Sequence, residues 1–149
     1  MSDDTFELIA CARDGTIASS CRRTSEIDQA CAATASLYDR LGFDPPWIGY
    51  VAVVSGTAVG GGAFVGPPVN NRVEIAYFTG SDHQGKGVAT QTARRLVEIA
   101  RRHSPGIELY AKTMPAENTS TRILAKLGFK MIGTDTDHEI GEAWAWLLR

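Results

Sequence analysis

A chain of 149 residues suits one compact domain, and at this size roughly 68–70% of the unfolded surface can be buried. Hydrophobic residues make up 44%, charged residues 21%, and the formal net charge is −2. That balance carries no basic excess for a phosphate backbone, which excludes nucleic acid as a partner of the whole surface. No apolar run approaches the roughly 18 residues of a membrane span. Cys11, Cys21 and Cys31 match no metal or redox spacing, and their odd number argues against a disulfide framework. A reduced, cytoplasmic setting is expected. The opening Met1-Ser2-Asp3-Asp4 has neither the basic nor the apolar region of a signal peptide.

Along the chain, Phe6 to Ala12 reads as a strand, turned at Asp14-Gly15, with a second short strand expected from Thr16. Thr24 to Leu41 reads as a helix, capped by Thr24 or Ser25 and ended by Gly42. It sets Ile27, Cys31, Ala35 and Leu41 near one face, with Tyr38 beside them. Trp47–Val54 and Ala58–Val65 flank Ser55-Gly56-Thr57 as a hairpin. Gly60, Gly61 and Gly62 in its second arm predict a bulge or a close backbone approach. Val73 to Thr79 is a strand and Gly87 to His103 a helix, with Val88, Thr92, Leu96 and Ala100 at four-residue steps. Arg94, Arg95, Arg101 and Arg102 are its solvent-face and helix-end charges. Ile107–Lys112 is a strand and Ser120–Leu127 a short helix burying Ile123, Leu124 and Leu127. Phe129–Thr134 and Ala143–Leu148 are closing strands, the last with Trp144 and Trp146 on one face. With no repeat or linker, the sum is one α/β domain over residues 1–149. Its mixed central sheet has about six or seven strands flanked by helices. A strand–helix–strand crossover makes Val73–Thr79 and Ile107–Lys112 parallel.

The segment Gln84-Gly85-Lys86-Gly87-Val88-Ala89-Thr90 follows a strand and opens a helix. Gly85 and Gly87 permit a sharp turn and a close approach. The unpaired N–H groups and dipole of the helix terminus favour an anion such as a pyrophosphate. A tight turn with no ligand is the alternative. The run is no Walker A loop, and Thr90 stands where a dinucleotide fingerprint needs a third glycine.

Gln84-x-x-Gly87-x-Ala89 resembles the Q/R-x-x-G-x-G/A motif of the GCN5-related N-acetyltransferases. Val73-Glu74-Ile75-Ala76-Tyr77-Phe78 resembles the E-I-G-Y-W strand of the branch that acetylates ribosomal-protein N-termini. Ser120 to Phe129, ending Lys126-Leu127-Gly128-Phe129, resembles that branch's N-x-x-S…L-x-K-L-G-F segment. The motifs cover about half the chain, from Arg72 to Ile132.

The resemblance implies a GNAT-like fold and acetyl-CoA as co-substrate. The pyrophosphate would lie on the backbone of Gln84, Gly85, Lys86, Gly87, Val88, Ala89 and Thr90, and the pantetheine arm against the main chain of Tyr77, Phe78 and Thr79. It implies a further contact from Asn118. The spacing departs there, because Asn118 lies two residues before Ser120 where the branch has three, and Glu117 fills the usual Asn slot. Many relatives place a tyrosine acid where this chain has Leu124. In the ribosomal-protein branch a serine does the corresponding job, and Ser120 fills its slot.

An ammonium must lose a proton before it can attack a thioester. Glu74, a carboxylate in an apolar strand where desolvation should raise its pKa, is the candidate base. The alternative is a structural ion pair with Arg72 or a lysine. Ser120 is the candidate proton donor, or else only the N-cap of its helix. His83 reads as a surface-loop residue and as a second candidate base. Trp47, Trp144 and Trp146 read as core, with a role in holding the acceptor open for Trp47. No metal site is assigned, since His103 and His138 lack partners at ligand spacing.

The expected activity is N-acetyl transfer to a primary amine, either a protein N-terminus or a small molecule. A module that binds acetyl-CoA without turnover is the alternative, and an interaction domain with no cofactor is a third reading that the intact loop argues against. No membrane partner is expected, and a homodimer is left open.

Overall fold

The computed structural model describes residues 5–149. Strand β1 (Phe6–Ala10) leads to helix α1 (Ser25–Leu41), strands β2 (Gly49–Val54), β3 (Thr57–Phe64) and β4 (Arg72–Thr79), and a 3-10 turn (Ser81–His83). Helix α2 (Val88–His103), strand β5 (Glu108–Thr113), helix α3 (Thr119–Lys126) and strands β6 (Lys130–Asp137) and β7 (Gly141–Leu148) follow. One mixed seven-stranded sheet runs in the order β1-β2-β3-β4-β5-β7-β6. Its pairs are antiparallel except β4 with β5, which are parallel as the crossover rule demands.

Helix α1 covers one face of β2 and β3. Ile27, Cys31 and Tyr38 pack there with Ile48, Val51, Val53 and Ala58. Helix α2 covers the other face. Its expected stripe Val88, Thr92, Leu96 and Ala100 is buried throughout. The main core lies on that side, where Leu96 and Ala100 join Val73, Ile75, Leu109, Leu124, Phe129 and Trp146. The glycine run of β3 is explained by close approach. A Cβ on Gly62 would come 2.8 Å from Thr92 and 2.9 Å from Leu96, so α2 sits closer to β3 than any side chain there would allow. The ladder irregularity lies beside the run, between Ala52 and Val53.

The structure corrects several sequence expectations. No strand forms from Thr16. The Asp14 carboxylate accepts the Thr16 N–H at 3.0 Å and its hydroxyl at 2.7 Å, which fixes a turn and leaves one isolated bridge, Cys11 to Ile17. Leu41 is 39% exposed because Gly42 ends the helix there. Tyr38 anchors α1 instead, donating to the Cys11 carbonyl at 2.9 Å and accepting from the Gly49 N–H at 2.8 Å. The closing ribbon is longer than expected, since the Asp137 carboxylate accepts the N–H groups of Glu139 and Ile140 and folds β6 tightly onto β7. Trp47 is buried edge-on against Phe64 at 5.1 Å and His103 at 5.3 Å, which makes it core and removes it from any acceptor surface. The three cysteines, ten residues apart in sequence, gather under α1 in one apolar cluster. All are free thiols, and burial pushes Cys11 up to about 12.

Candidate active site

Strands β4 and β5 pair at only three positions, Arg72 with Glu108, Val73 with Leu109 and Glu74 with Tyr110. Beyond Glu74 the ladder stops although β4 continues to Thr79 and β5 to Thr113. A groove borders the unpaired half of β4, between the loop into α2 and the start of α3. Of the residues expected at the site, Tyr77, Phe78, Thr79, Gln84, Gly85, Gly87, Val88, Ala89, Thr90 and Ser120 line it. Thr119 and Ile123 line it too. Sequence reasoning missed both, although Ile123 is one helical turn from Ser120 and shares its face. Glu74, Lys86 and Asn118 do not contribute to the lining.

The loop is anchored at its start and open at its end. The Gly80 N–H donates to the Val59 carbonyl at 2.7 Å. The Ser81 N–H and hydroxyl donate to the two Glu26 oxygens at 2.9 and 3.1 Å, tying α1 to the 3-10 turn. Gly85 and Gly87 then adopt φ of 79° and 78°, left-handed conformations that cost other residues strain. Gly87 is the N-cap of α2. No side chain caps this terminus and no acidic residue lies in its first turn. The first helical bond runs from the Gln91 N–H to the Gly87 carbonyl, so the N–H groups of the first turn and the positive end of the dipole face the groove uncompensated. That arrangement fits a pyrophosphate.

On the opposite wall, the N-cap of α3 is Asn118, which removes the alternative in which Ser120 is only the cap. The Asn118 Oδ1 accepts the Thr121 N–H at 3.0 Å, and the Thr121 Oγ1 accepts the Asn118 N–H at 2.9 Å. A reciprocal box of this kind commits the Asn118 side-chain oxygen to the helix and leaves Ser120 out of the cap, two residues further on in the first turn and on the groove. Leu124, at the position where many relatives carry tyrosine, is 0% exposed in the core, so α3 brings no phenol to this wall. Tyr77 faces α2 from β4. Its buried hydroxyl has no hydrogen-bond partner among the described residues, and burial raises its pKa to about 12.

Strand alternation puts Glu74, Ala76 and Phe78 on the face away from α2. Phe78 packs toward the α1 cluster, and Ala76 is exposed. Glu74 therefore stands at the last paired position before the split, on the side opposite the loop. Its carboxyl is raised, first by burial and then by Asp137 and Asp135, against an opposing pull from Lys112. A lysine does stand near it, with Lys112 Nζ 3.9 Å from Glu74 Oε2. Arg72 pairs elsewhere, 3.1 Å from Glu108. His83 sits in the 3-10 turn, its N–H bonded to the Gly80 carbonyl at 2.9 Å.

Comparison with known proteins places the chain in a family and a fold. The family model described as an acetyltransferase (GNAT) domain matches residues 2–130. The uncharacterized N-acetyltransferase p20 of Bacillus licheniformis is 31% identical over 70 residues, which are 47% of this chain and 39% of that protein. The match thus spans about two fifths of that relative's length. Among solved structures, the apo form of RimL, a ribosomal L7/L12 alpha-N-protein acetyltransferase, superposes with a TM-score of 0.70 at 15% identity, covering 97% of this chain and 92% of that one. Mycobacterium smegmatis RimJ in complex with CoA-disulfide gives 0.61 at 18% identity, covering 83% and 61%. These two likenesses are of fold. The family model, extending from before β1 to the start of β6 and taking in the glycine loop, the split strand and the α3 wall together, establishes that the chain belongs to the GNAT acetyltransferase family.

Proposed function

We propose that the protein transfers an acetyl group from acetyl-CoA directly to a primary amine. The observation that carries this reading is the split of β4 from β5, which sets an uncapped helix terminus at one end of a groove and a partly buried carboxylate across the sheet from it. The N–H groups of Gly85 to Thr90 receive the pyrophosphate. The main chain of Tyr77, Phe78 and Thr79 holds the pantetheine arm. The acetyl group then lies at the split, within reach of an acceptor arriving over Ala76.

Glu74 takes the proton that the ammonium must lose before its nitrogen attacks the thioester carbon, directly or through a water. β4 N–H groups beyond the β5 ladder stabilise the oxyanion that forms. The C–S bond then breaks as the attacking nitrogen passes its second proton to the Ser120 oxygen, while the Ser120 hydroxyl gives its own proton to the departing sulfur, which leaves as a thiol. No acyl-cysteine takes part, because Cys11, Cys21 and Cys31 belong to the α1 cluster and not to the groove, and burial holds Cys11 and Cys31 protonated.

The likeness of fold to RimL supports a protein N-terminus as acceptor, and the open face at Ala76 also admits a small-molecule amine. In the same reading the protein works in the cytoplasm with its thiols reduced. Burial of Leu124 favours one competing reading, a module that binds acetyl-CoA without turning it over. Calorimetry with acetyl-CoA, followed by thiol release with N-terminal peptides, polyamines and aminoglycosides, separates the two. Binding with no thiol release from any amine would leave the binding module as the better account.

A further inference from the structure

We infer that Lys112, held off by Asp137, is a positioning residue that keeps the Glu74 carboxylate ionised by its field while leaving the carboxylate oxygens free. The inference rests on the reading of Glu74 as the base. Lys112 lies on the same face of β5 as Tyr110, whose backbone is in register with Glu74. Its ammonium is 3.5 Å from Asp137 Oδ2 and 3.9 Å from Glu74 Oε2. Both are ion-pair distances longer than an ordinary hydrogen bond, with Asp137 the nearer partner, and 3.9 Å is well within the range where a charge shifts a neighbouring carboxyl. Asp137 thus takes the contact and Glu74 takes the field. Had the ammonium closed on Glu74, it would compete with the substrate proton for the same lone pairs.

Every charged neighbour of Glu74 fits this arrangement. On β4, Arg72 is turned away to Glu108, which also pairs with Arg149 at 3.3 Å. On β5, the Tyr110 phenol donates to the Asp135 carboxylate, which occupies both. On β6, Asp135 and Asp137 push the Glu74 carboxyl upward together with burial. On β7, the facing positions Ala145 and Leu147 carry no charge. Among the described residues, Lys112 is the one cation within ion-pair distance of Glu74. Without it, burial and two aspartates act unopposed, and Glu74 would hold its proton to a higher pH.

The charges predict shifts of opposite sign. Lys112→Met removes the lowering influence, so Glu74 should titrate higher by about one pH unit, the low end of what an opposite charge at this range produces. Asp137→Asn removes a raising charge and releases the ammonium toward Glu74, so the midpoint should fall. Lys112→Arg keeps the charge and should stay near wild type. The measurement is a ¹³C NMR titration of the Glu74 carboxyl carbon in the full chain without ligand, which needs no acceptor. The acid limb of kcat/KM, measured with any amine that turns over, should move with each midpoint.

A Glu74 midpoint unmoved in both Lys112→Met and Asp137→Asn overturns the inference. Should Lys112→Met fail to fold, Asp137→Asn decides alone, because the asparagine still accepts the turn N–H groups. Glu74→Gln tests the underlying reading separately. Normal turnover with an intact acid limb in that variant would remove Glu74 as base whatever the NMR midpoints do.

Discussion

The glycine loop and the Glu74 cluster are built in opposite ways. The loop is contiguous. Its conformation follows from two left-handed glycines and a helix start within seven residues, and its chemistry is that of the backbone. The Glu74 cluster draws Glu74 from β4, Tyr110 and Lys112 from β5, and Asp135 and Asp137 from β6, and its chemistry is that of side-chain charge. A local site of the first kind depends on few residues and fails all at once when one is changed. A site of the second kind has graded properties, because each neighbour shifts the carboxyl by a part.

The loop should therefore show the largest single effect. Gly87→Glu puts a side chain at a φ of 78°, where non-glycine residues are strained by about 1–3 kcal/mol, and sets a negative charge beside the phosphates. Calorimetry should find acetyl-CoA binding below detection. Unchanged affinity would remove the pyrophosphate from this turn and break the contrast at its strongest point.

Glu74→Gln comes next. It keeps the shape of the side chain but cannot accept a proton, so kcat should fall by roughly 10²-fold or more with acetyl-CoA affinity barely changed. Because the base must be ionised, the wild-type rate should rise with pH through the Glu74 pKa, which burial has moved upward. The variant should regain much of its rate at high pH, where the amine is already neutral. Steady-state kinetics across pH would distinguish this from a folding defect, which hydroxide does not repair. Ser120→Ala, in contrast, should slow departure of the thiolate with no recovery at high pH.

A smaller effect is expected at the anchor of the loop. Glu26→Ala removes two hydrogen bonds to Ser81, each worth about 0.5–1.5 kcal/mol at most and less at an exposed site. Acetyl-CoA affinity should weaken a few-fold, with faster amide exchange over residues 81–87, and Glu26→Gln should restore most of it. The smallest effect on turnover belongs to Cys11→Ala. That change should cost stability, read as a lower urea midpoint, yet leave kcat near wild type. A large loss of kcat in the folded variant would reopen a covalent route through sulfur.

What could be read without the fold were features whose causes are short-range. The stripe Val88, Thr92, Leu96 and Ala100 repeats at helical spacing, so its burial was legible. The parallel pairing of β4 with β5 followed from the intervening helix. The loop residues Gln84, Gly85 and Gly87 to Thr90 lie side by side in the chain and also in the groove. The cap of α3 was not legible, because Asn118, Thr119 and Ser120 are all competent caps, and only the reciprocal bonds with Thr121 select Asn118.

The sequence by itself determined the class of fold, the order of its elements, the glycine turn before α2 and the residue type at each candidate position. It did so because periodicity, capping and left-handed glycines act over a few residues. Only the tertiary structure decided that β4 and β5 part after Glu74, that Trp47 belongs to the core, and that Glu26 braces the turn before the loop. It alone brought Lys112 and Asp137 from β5 and β6 to the carboxylate on β4. Those relations join residues tens of positions apart. The sheet order β4-β5-β7-β6 is what closes the distance between charges that the chain itself keeps separate.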